Sequence, residues 1–157
     1  MTMAIVAKVR GRLARMAGAA AVVLVAAGCP GTRPTNLGAT SGALAPCPES
    51  PNCVNDRATD EVHKIAPLTY AGARADAMAK LASVVEATPR ARIVSRTDDY
   101  LNAEYTSLIW RFVDDVEFLF DADGRTIHVR SASRVGYGDM GVNRKRIEEV
   151  RERLAKP

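Results

Sequence analysis

The chain has 157 residues, of which 47% are hydrophobic and 25% are charged, values ordinary for a globular protein of one domain. Its net charge of +4 resides in the first 28 residues, which contain Lys8, Arg10, Arg12 and Arg15 and no acidic residue. The other 18 of the 22 basic residues balance the 18 acidic residues, and such a neutral domain lacks the field that attracts nucleic acids.

Residues 1–28 have the pattern of an export signal. A basic region, 1–15, precedes the apolar run 16–28, which is shorter than the roughly 20 residues of a membrane-spanning helix. Small residues at 26–28 precede Cys29, and this arrangement resembles a bacterial lipobox, in which the peptidase cuts before an acylated cysteine. We therefore predict a lipoprotein signal peptide over 1–28 and a cell-envelope protein held to a membrane by lipid on Cys29. An ordinary secretory signal and a retained N-terminal anchor are the alternatives.

The segment after Cys29 has the composition of a linker. Residues 30–46 are rich in Pro, Gly, Thr and Ser and show no apolar periodicity. We predict a flexible linker that includes the lipidated cysteine over 29–45, followed by one folded domain over 46–157.

Cys47 and Cys53 form an even pair once Cys29 carries lipid. Two nearby cysteines in the oxidising envelope usually form a disulfide, and the prolines between them favour a turn. A redox pair or a metal site is the alternative, but the spacing is not C-x-x-C. His63 and His128 have no ligand partners at helical spacing, so we expect neither a metal nor a cofactor.

The domain has the element order of an α+β fold. Apolar residues at helical spacing predict a helix over 73–88 and a last helix from near 139–143 to 155, with Met140 and Asn143 extending its apolar stripe. Alternation predicts about four strands, 92–97, 100–111, 113–121 and 126–134. We expect an antiparallel sheet with both helices packed on it.

The turn between the last two strands fixes their register. Asp123-Gly124 is a favoured centre of a two-residue type I′ hairpin. This turn places the apolar residues of the two strands opposite each other on one face, which a wrong register would not do. On the other face it predicts an ion pair between Glu117 and Arg130.

An arginine-rich region follows the last strand. Gly136, Gly138 and Gly141 match G-x-G-x-x-G, but too few residues remain for the return strand of a dinucleotide-binding unit. The start of a helix near several arginines still suggests a pocket for a small anion, formed by Arg130, Arg134, Asn143 and Arg144. The alternative is a polar network that is only structural.

No recognisable catalytic set is present, and we predict no catalytic residue. Glu104, Asp114, Asp115 and Glu117 are expected to form ion pairs with the arginines rather than an acid–base pair. A serine–histidine–acid mechanism lacks the nucleophile-elbow sequence.

Five strings together resemble the domain-of-unknown-function 1499 family. They are residues 44–53 (LAPCPESPNC), 63–68 (HKIAPL), 100–104 (YLNAE), 112–118 (FVDDVEF) and 130–146 (RSASRVGYGDMGVNRKR). The resemblance covers about residues 44–155 and implies no activity and no catalytic residues. Asn55-Asp56 departs from the serines that members often have, and we expect it to alter only a surface turn.

These observations favour an envelope lipoprotein whose domain is non-enzymatic and binds a ligand or a protein partner, or is structural. The alternative is an envelope enzyme that acts on a small anionic substrate through the arginine-rich region 130–146.

Overall fold

The computed structural model describes residues 29–122 and 124–156, so the predicted signal peptide lies outside the described residues. The fold is α+β, as predicted, with an antiparallel sheet and two helices. The sheet has six strands rather than about four. The elements are β1 Cys53–Asn55, β2 Leu68–Thr69, α1 Arg74–Glu86, β3 Ala91–Arg96, β4 Tyr100–Thr106, β5 Val113–Phe120, β6 Thr126–Ser133 and α2 Val142–Ala155.

The predicted register of the β5–β6 hairpin is confirmed. Phe120 lies opposite Ile127, and Phe118 lies opposite Val129, with all four side chains in the core. Asp123 lies outside the described residues, so the type of the turn stays a prediction. The apolar faces of the two strands thus selected the register, because a shift by one residue would turn them towards the other side of the sheet.

The two strands that the sequence analysis missed are short. β1 and β2 pair with β6 antiparallel, so that the sheet order is β1-β6-β5-β4-β3 with β2 beside the first half of β6. The predicted disulfide between Cys47 and Cys53 is confirmed, with the two Cα atoms 5.7 Å apart. It closes a small loop directly before β1, where Cys53 pairs with Ala132.

β4 is shorter than predicted. It ends at Thr106 rather than at residue 111, and residues 108–110 form a turn. Leu108, Ile109 and Trp110 continued the apolar pattern of a strand, but their side chains are exposed. The prediction was wrong because apolar residues in a hairpin tip cannot be told from a strand by composition.

The helices pack on one face of the sheet. The predicted apolar stripe of α1, formed by Met78, Leu81, Ala82 and Val85, is buried. In α2, Ile147 and Val150 are buried and Leu154 packs on the core. Met140 is fully exposed and precedes the helix, so its place on the stripe was predicted wrongly.

The opposite face of the sheet is contacted by the segment predicted as a linker. Arg33 Nη2 donates to Asn102 Oδ1 at 3.0 Å, and the Gly38 N–H donates to Glu117 Oε1 at 2.7 Å. All eight residues of β5 are buried as a result of cover on both faces. The polar side chains on that strand therefore lie in the interior of the protein, not in solvent.

Candidate functional site

Glu117 and Arg130 face each other across β5 and β6 on the sheet face that the N-terminal segment contacts. Arg130 Nη1 lies 3.1 Å from Glu117 Oε2, and both side chains are almost fully buried. Glu117 Oε1 also accepts hydrogen bonds from the Gly38 N–H and from the Tyr100 hydroxyl. Burial raises the pKa of Tyr100, and the charge of Glu117 adds to this effect. The predicted ion pair is present, and it is the centre of a buried polar cluster.

Arg134 is held by two carboxylates on the same face. Its Nε and Nη2 donate to both oxygens of Asp115 at 2.7 Å, and Nη2 also donates to Glu104. Arg92 donates to the other oxygen of Glu104 at 2.7 Å. Burial alone would raise the pKa of Glu104, but the hydrogen bonds from Arg134 and Arg92 outweigh it and lower this pKa. The hydrogen bonds of Arg134 to Asp115 and then to Glu104 raise the pKa of Arg134 against the opposite effect of burial, so its charge is fixed in an ion-pair network.

Asn143 lies on the helix side of the sheet, where it joins four parts of the chain. Its Oδ1 accepts from Ser131 Oγ at 2.6 Å, and its Nδ2 donates to Ser133 Oγ, to Asp139 Oδ2 and to the carbonyl of Asn52. Asp139 also accepts from the Asn143 N–H at 2.8 Å and so caps α2. Asn143 is fully buried, and its amide is used entirely by the protein.

The four residues predicted as an anion pocket are not brought together. Arg130 and Arg134 lie on one face of the sheet and Asn143 on the other, while Arg144 donates to the carbonyls of Val62 and Lys64. Arg130 Nε is buried and has no hydrogen-bond partner among the described residues. Most of their donor groups are already used within the protein.

A cavity of about 300 Å³ lies between α2, the end of α1 and the end of β4. Tyr105 lines it and is only 6% exposed, and no acceptor among the described residues meets hydrogen-bond geometry with its hydroxyl, although the Thr88 side chain lies near enough to lower the pKa of Tyr105. The guanidinium of Arg146 lies over its ring, 4.7 Å from the centroid. Burial raises the pKa of Tyr105 to about 12, so the hydroxyl keeps its proton at neutral pH. A buried donor without an acceptor is uncommon and costs free energy unless a ligand satisfies it.

The cavity carries an excess of positive charge. Its lining includes four basic and two acidic side chains, which are Arg90, Lys145, Arg146, Arg153, Asp114 and Glu149. Arg146 forms an ion pair with Asp114, and Lys145 Nζ lies 3.9 Å from Glu149 Oε1. Arg90 and Arg153 donate only to uncharged oxygens of the described part of the chain, namely those of Thr106, Val84 and Thr88. The guanidinium groups of Arg90 and Arg153 therefore have no carboxylate partner within the described residues and can attract an anionic ligand.

The sequence did not predict this cavity. Tyr105 lies within a predicted strand, but the alternation of residue types could not show that its hydroxyl lacks an acceptor at hydrogen-bond geometry. Arg146 lies in the predicted last helix, and its side chain is mostly buried against Tyr105 and Asp114. The available signal was Arg146 at position i+3 from Asn143, since this spacing puts the two residues on one face of a helix.

The remaining polar residues also have partners. Among the described residues, no group of three His, Cys, Asp or Glu side chains is arranged to hold a metal ion. His63 pairs with Asp60, and His128 Nδ1 lies 2.7 Å from Asp56. Asp56 also accepts from the Val129 N–H, so the departure at residues 55–56 fastens a loop to β6 rather than altering only a surface turn.

A second cavity of about 570 Å³ lies between α1 and the end of α2, near Tyr70, Lys80 and Leu154. Its lining includes no buried side-chain polar atom that lacks a partner within the described ranges. Nothing about it points to one kind of ligand. Separately, no helix between residue 29 and residue 156 has the length and hydropathy needed to cross a membrane.

The family model described as a protein of unknown function (DUF1499) matches residues 43–154. The chain belongs to this family, because the match covers most of its length, including all six strands, α1 and all but the last residue of α2. No curated protein and no solved structure matches the chain.

Proposed function

We propose that this member of the family is a cell-envelope lipoprotein, anchored through lipid on Cys29, whose domain binds a small anionic ligand without transforming it. Three features support the anchor. Residues 1–28 have the pattern of an export signal, Cys29 follows small residues, and the other two cysteines are joined in a disulfide, as is usual in an oxidising compartment. The thiol of Cys29 is free and exposed.

The anion site that we propose is the cavity beside Tyr105. The observation that carries it is the buried Tyr105 hydroxyl, which has no acceptor at hydrogen-bond geometry in the described part of the chain and lies among cationic side chains. A carboxylate or phosphate oxygen would accept a hydrogen bond from this hydroxyl and be attracted by the charges of Arg90 and Arg153. About 300 Å³ is at the small end of the usual range for ligand pockets, which suits a small organic acid or inorganic phosphate.

Binding is favoured over catalysis because the side chains that could exchange a proton with a substrate already have partners in the protein. Asp114, the carboxylate nearest to Arg146, is held in an ion pair, and the Ser131 hydroxyl donates to Asn143. A general acid or base must be able to exchange a proton with the substrate. An envelope enzyme that acts through residues 130–146 is therefore the second candidate function. It requires either the Arg146–Asp114 ion pair or the Ser131–Asn143 hydrogen bond to break.

The test is calorimetric titration of the full chain in detergent with inorganic phosphate and with succinate. We expect at least one probe to bind, and Tyr105→Phe and Arg153→Ala each to weaken binding by roughly tenfold, since hydrogen bonds to charged groups contribute about 1.5–3 kcal/mol. Tyr105→Phe keeps the ring under Arg146 and removes only the hydroxyl. Arg125→Ala, an exposed arginine at the other end of the sheet, is the matched control and should bind normally. If both variants bind like the unmodified chain, this cavity is not the site.

A further inference from the structure

The hairpin between β4 and β5 carries a cluster of exposed apolar side chains. Leu108 is 68% exposed, Ile109 74%, Trp110 63% and Phe112 40%. Soluble domains rarely expose several large apolar residues side by side unless the surface contacts a partner or a membrane.

This hairpin tip is ordered by its own hydrogen bonds. The Ser107 N–H donates to the Phe112 carbonyl at 2.8 Å, and the Phe112 N–H donates to Ser107 Oγ at 2.9 Å. Arg111 closes the turn with a positive φ of 57°. The backbone therefore holds the apolar side chains outwards.

A second loop extends the same surface. The Arg134 N–H donates to the Val113 carbonyl at 3.1 Å, so the segment after β6 starts beside the end of the β4–β5 hairpin. In that segment and the first residue of α2, Tyr137 and Met140 are almost fully exposed and Val142 is half exposed. We call these residues and the hairpin tip 108–112 together the apolar end.

The predicted lipid-bearing cysteine lies at this end as well. Gly31 has a φ of +71° and lies so close to the chain that a Cβ on it would be 2.7 Å from the Arg134 Cβ. Cys29 is two residues earlier, and two residues span at most about 7 Å. The anchor and the two apolar loops therefore share one end of the sheet.

We propose that the apolar end inserts into the surface of the bilayer to which Cys29 is anchored. This inference rests on the proposed lipid anchor. Tryptophan and tyrosine favour the membrane–water interface, where the ring is apolar and the polar group stays hydrated, and the aliphatic side chains beside them gain from leaving water. Arg111 at the tip would face anionic headgroups. The tether keeps the apolar end at high local concentration near the lipid, so that weak insertion is enough to fix the orientation of the domain.

The chain supplies its own probe, because Trp110 is its only tryptophan. The full chain is reconstituted into vesicles of phosphatidylcholine and phosphatidylglycerol, with and without bromine on the acyl chains. We expect the Trp110 emission to shift to the blue and to be quenched by the brominated lipid. The matched control carries Trp110→Phe and Asp98→Trp, which moves the tryptophan to the exposed turn between β3 and β4 at the opposite end. Its emission should not be quenched.

Mass spectrometry of the same sample shows whether Cys29 carries lipid, which separates the two proposals. Lipid on Cys29 without quenching of Trp110 overturns the insertion and leaves the anchor. Quenching without lipid on Cys29 supports insertion and overturns the anchor. Equal quenching of Trp110 and of the relocated tryptophan overturns insertion of this end. A blue-shifted but unquenched Trp110 together with a dimer in sedimentation also overturns it, since the apolar end would then cover a second copy of the chain.

Discussion

The guanidinium of Arg146 stacks on the ring of Tyr105, with its central carbon 4.7 Å from the ring centroid. The same guanidinium donates to Asp114, Asn143 and Ser131. It therefore joins α2 to the three strands β4, β5 and β6. Arg146 forms a fixed wall of the cavity, and the groups free to meet a ligand are the Tyr105 hydroxyl, Arg90 and Arg153.

Removal of Arg146 should destabilise the whole domain. Arg146→Ala leaves the mostly buried carboxylate of Asp114 without its ion-pair partner, and the loss of one member of a buried pair costs about 3–5 kcal/mol. We expect a decrease of this order in the free energy of unfolding, measured by urea titration. Lys145→Ala is the control, since the neighbouring side chain is exposed and its loss should change stability by less than about 0.5 kcal/mol. If Arg146→Ala leaves the free energy of unfolding unchanged, the contacts of Arg146 with Tyr105 and Asp114 do not stabilise the domain.

Substitution of Arg134 should lower the melting temperature much more than substitution of Arg144, although both residues were predicted to bind an anion. Arg134→Ala leaves the buried Asp115 carboxylate uncompensated, and we expect the melting temperature to fall by several degrees. Arg144→Ala removes only hydrogen bonds to two carbonyls of a surface loop, and a small change is expected. Thermal unfolding of both variants, followed by circular dichroism, measures this difference. Equal melting temperatures would contradict the structural role of Arg134.

The stability of the domain should depend on the charge of Glu104 in acid. Hydrogen bonds from Arg134 and Arg92 outweigh burial and lower its pKa below the ordinary value of 4.5. A lowered pKa means that the charged form contributes stability above pH 4.5, and that this contribution is lost as the pH falls through the folded-state pKa. Glu104→Gln should therefore be less stable at neutral pH and should lose less stability below pH 4.5.

Urea titrations between pH 7 and pH 3 test this expectation. Glu86→Gln is the control, because Glu86 is exposed and forms no ion pair within the described ranges. Its pH profile should follow that of the unmodified chain. If the free energy of unfolding of Glu104→Gln changes with pH in parallel with that of the unmodified chain, Glu104 does not contribute to the pH dependence of stability.

The parts of the fold that could be predicted are those in which periodicity reports burial. The stripe of α1 and the β5–β6 register follow from apolar residues at helical and alternating spacing, and the observed register is the one that a two-residue Asp-Gly turn predicts. β1 and β2 have three and two residues, too few for a period to be visible. Leu108 to Trp110 were predicted as strand because the hydrophobic pattern does not distinguish exposed apolar residues in a hairpin tip from buried residues of a strand.

The polar interior was harder to predict than the apolar core. Alternation puts Glu117 and Asp115 on one face of the strand but does not show whether that face is buried. The segment from Cys29 to Ala45 contacts this face and contributes to its burial. Linker composition does not reveal such a contact, because backbone N–H groups such as that of Gly38 make it. The anion cavity was missed for a related reason: it depends on whether one hydroxyl has a partner, and spacing in sequence does not contain that information.

The measurement that tests the central claim most directly is metabolic labelling of the full chain with palmitate in a bacterial host, together with membrane fractionation. We predict that the chain is labelled and found with the membrane, and that Cys29→Ser abolishes the label. Cys47→Ser with Cys53→Ser is the matched control, since it removes the disulfide and keeps Cys29; it should retain the label. Label that persists in Cys29→Ser, or its absence from the unmodified chain, would contradict the lipid anchor.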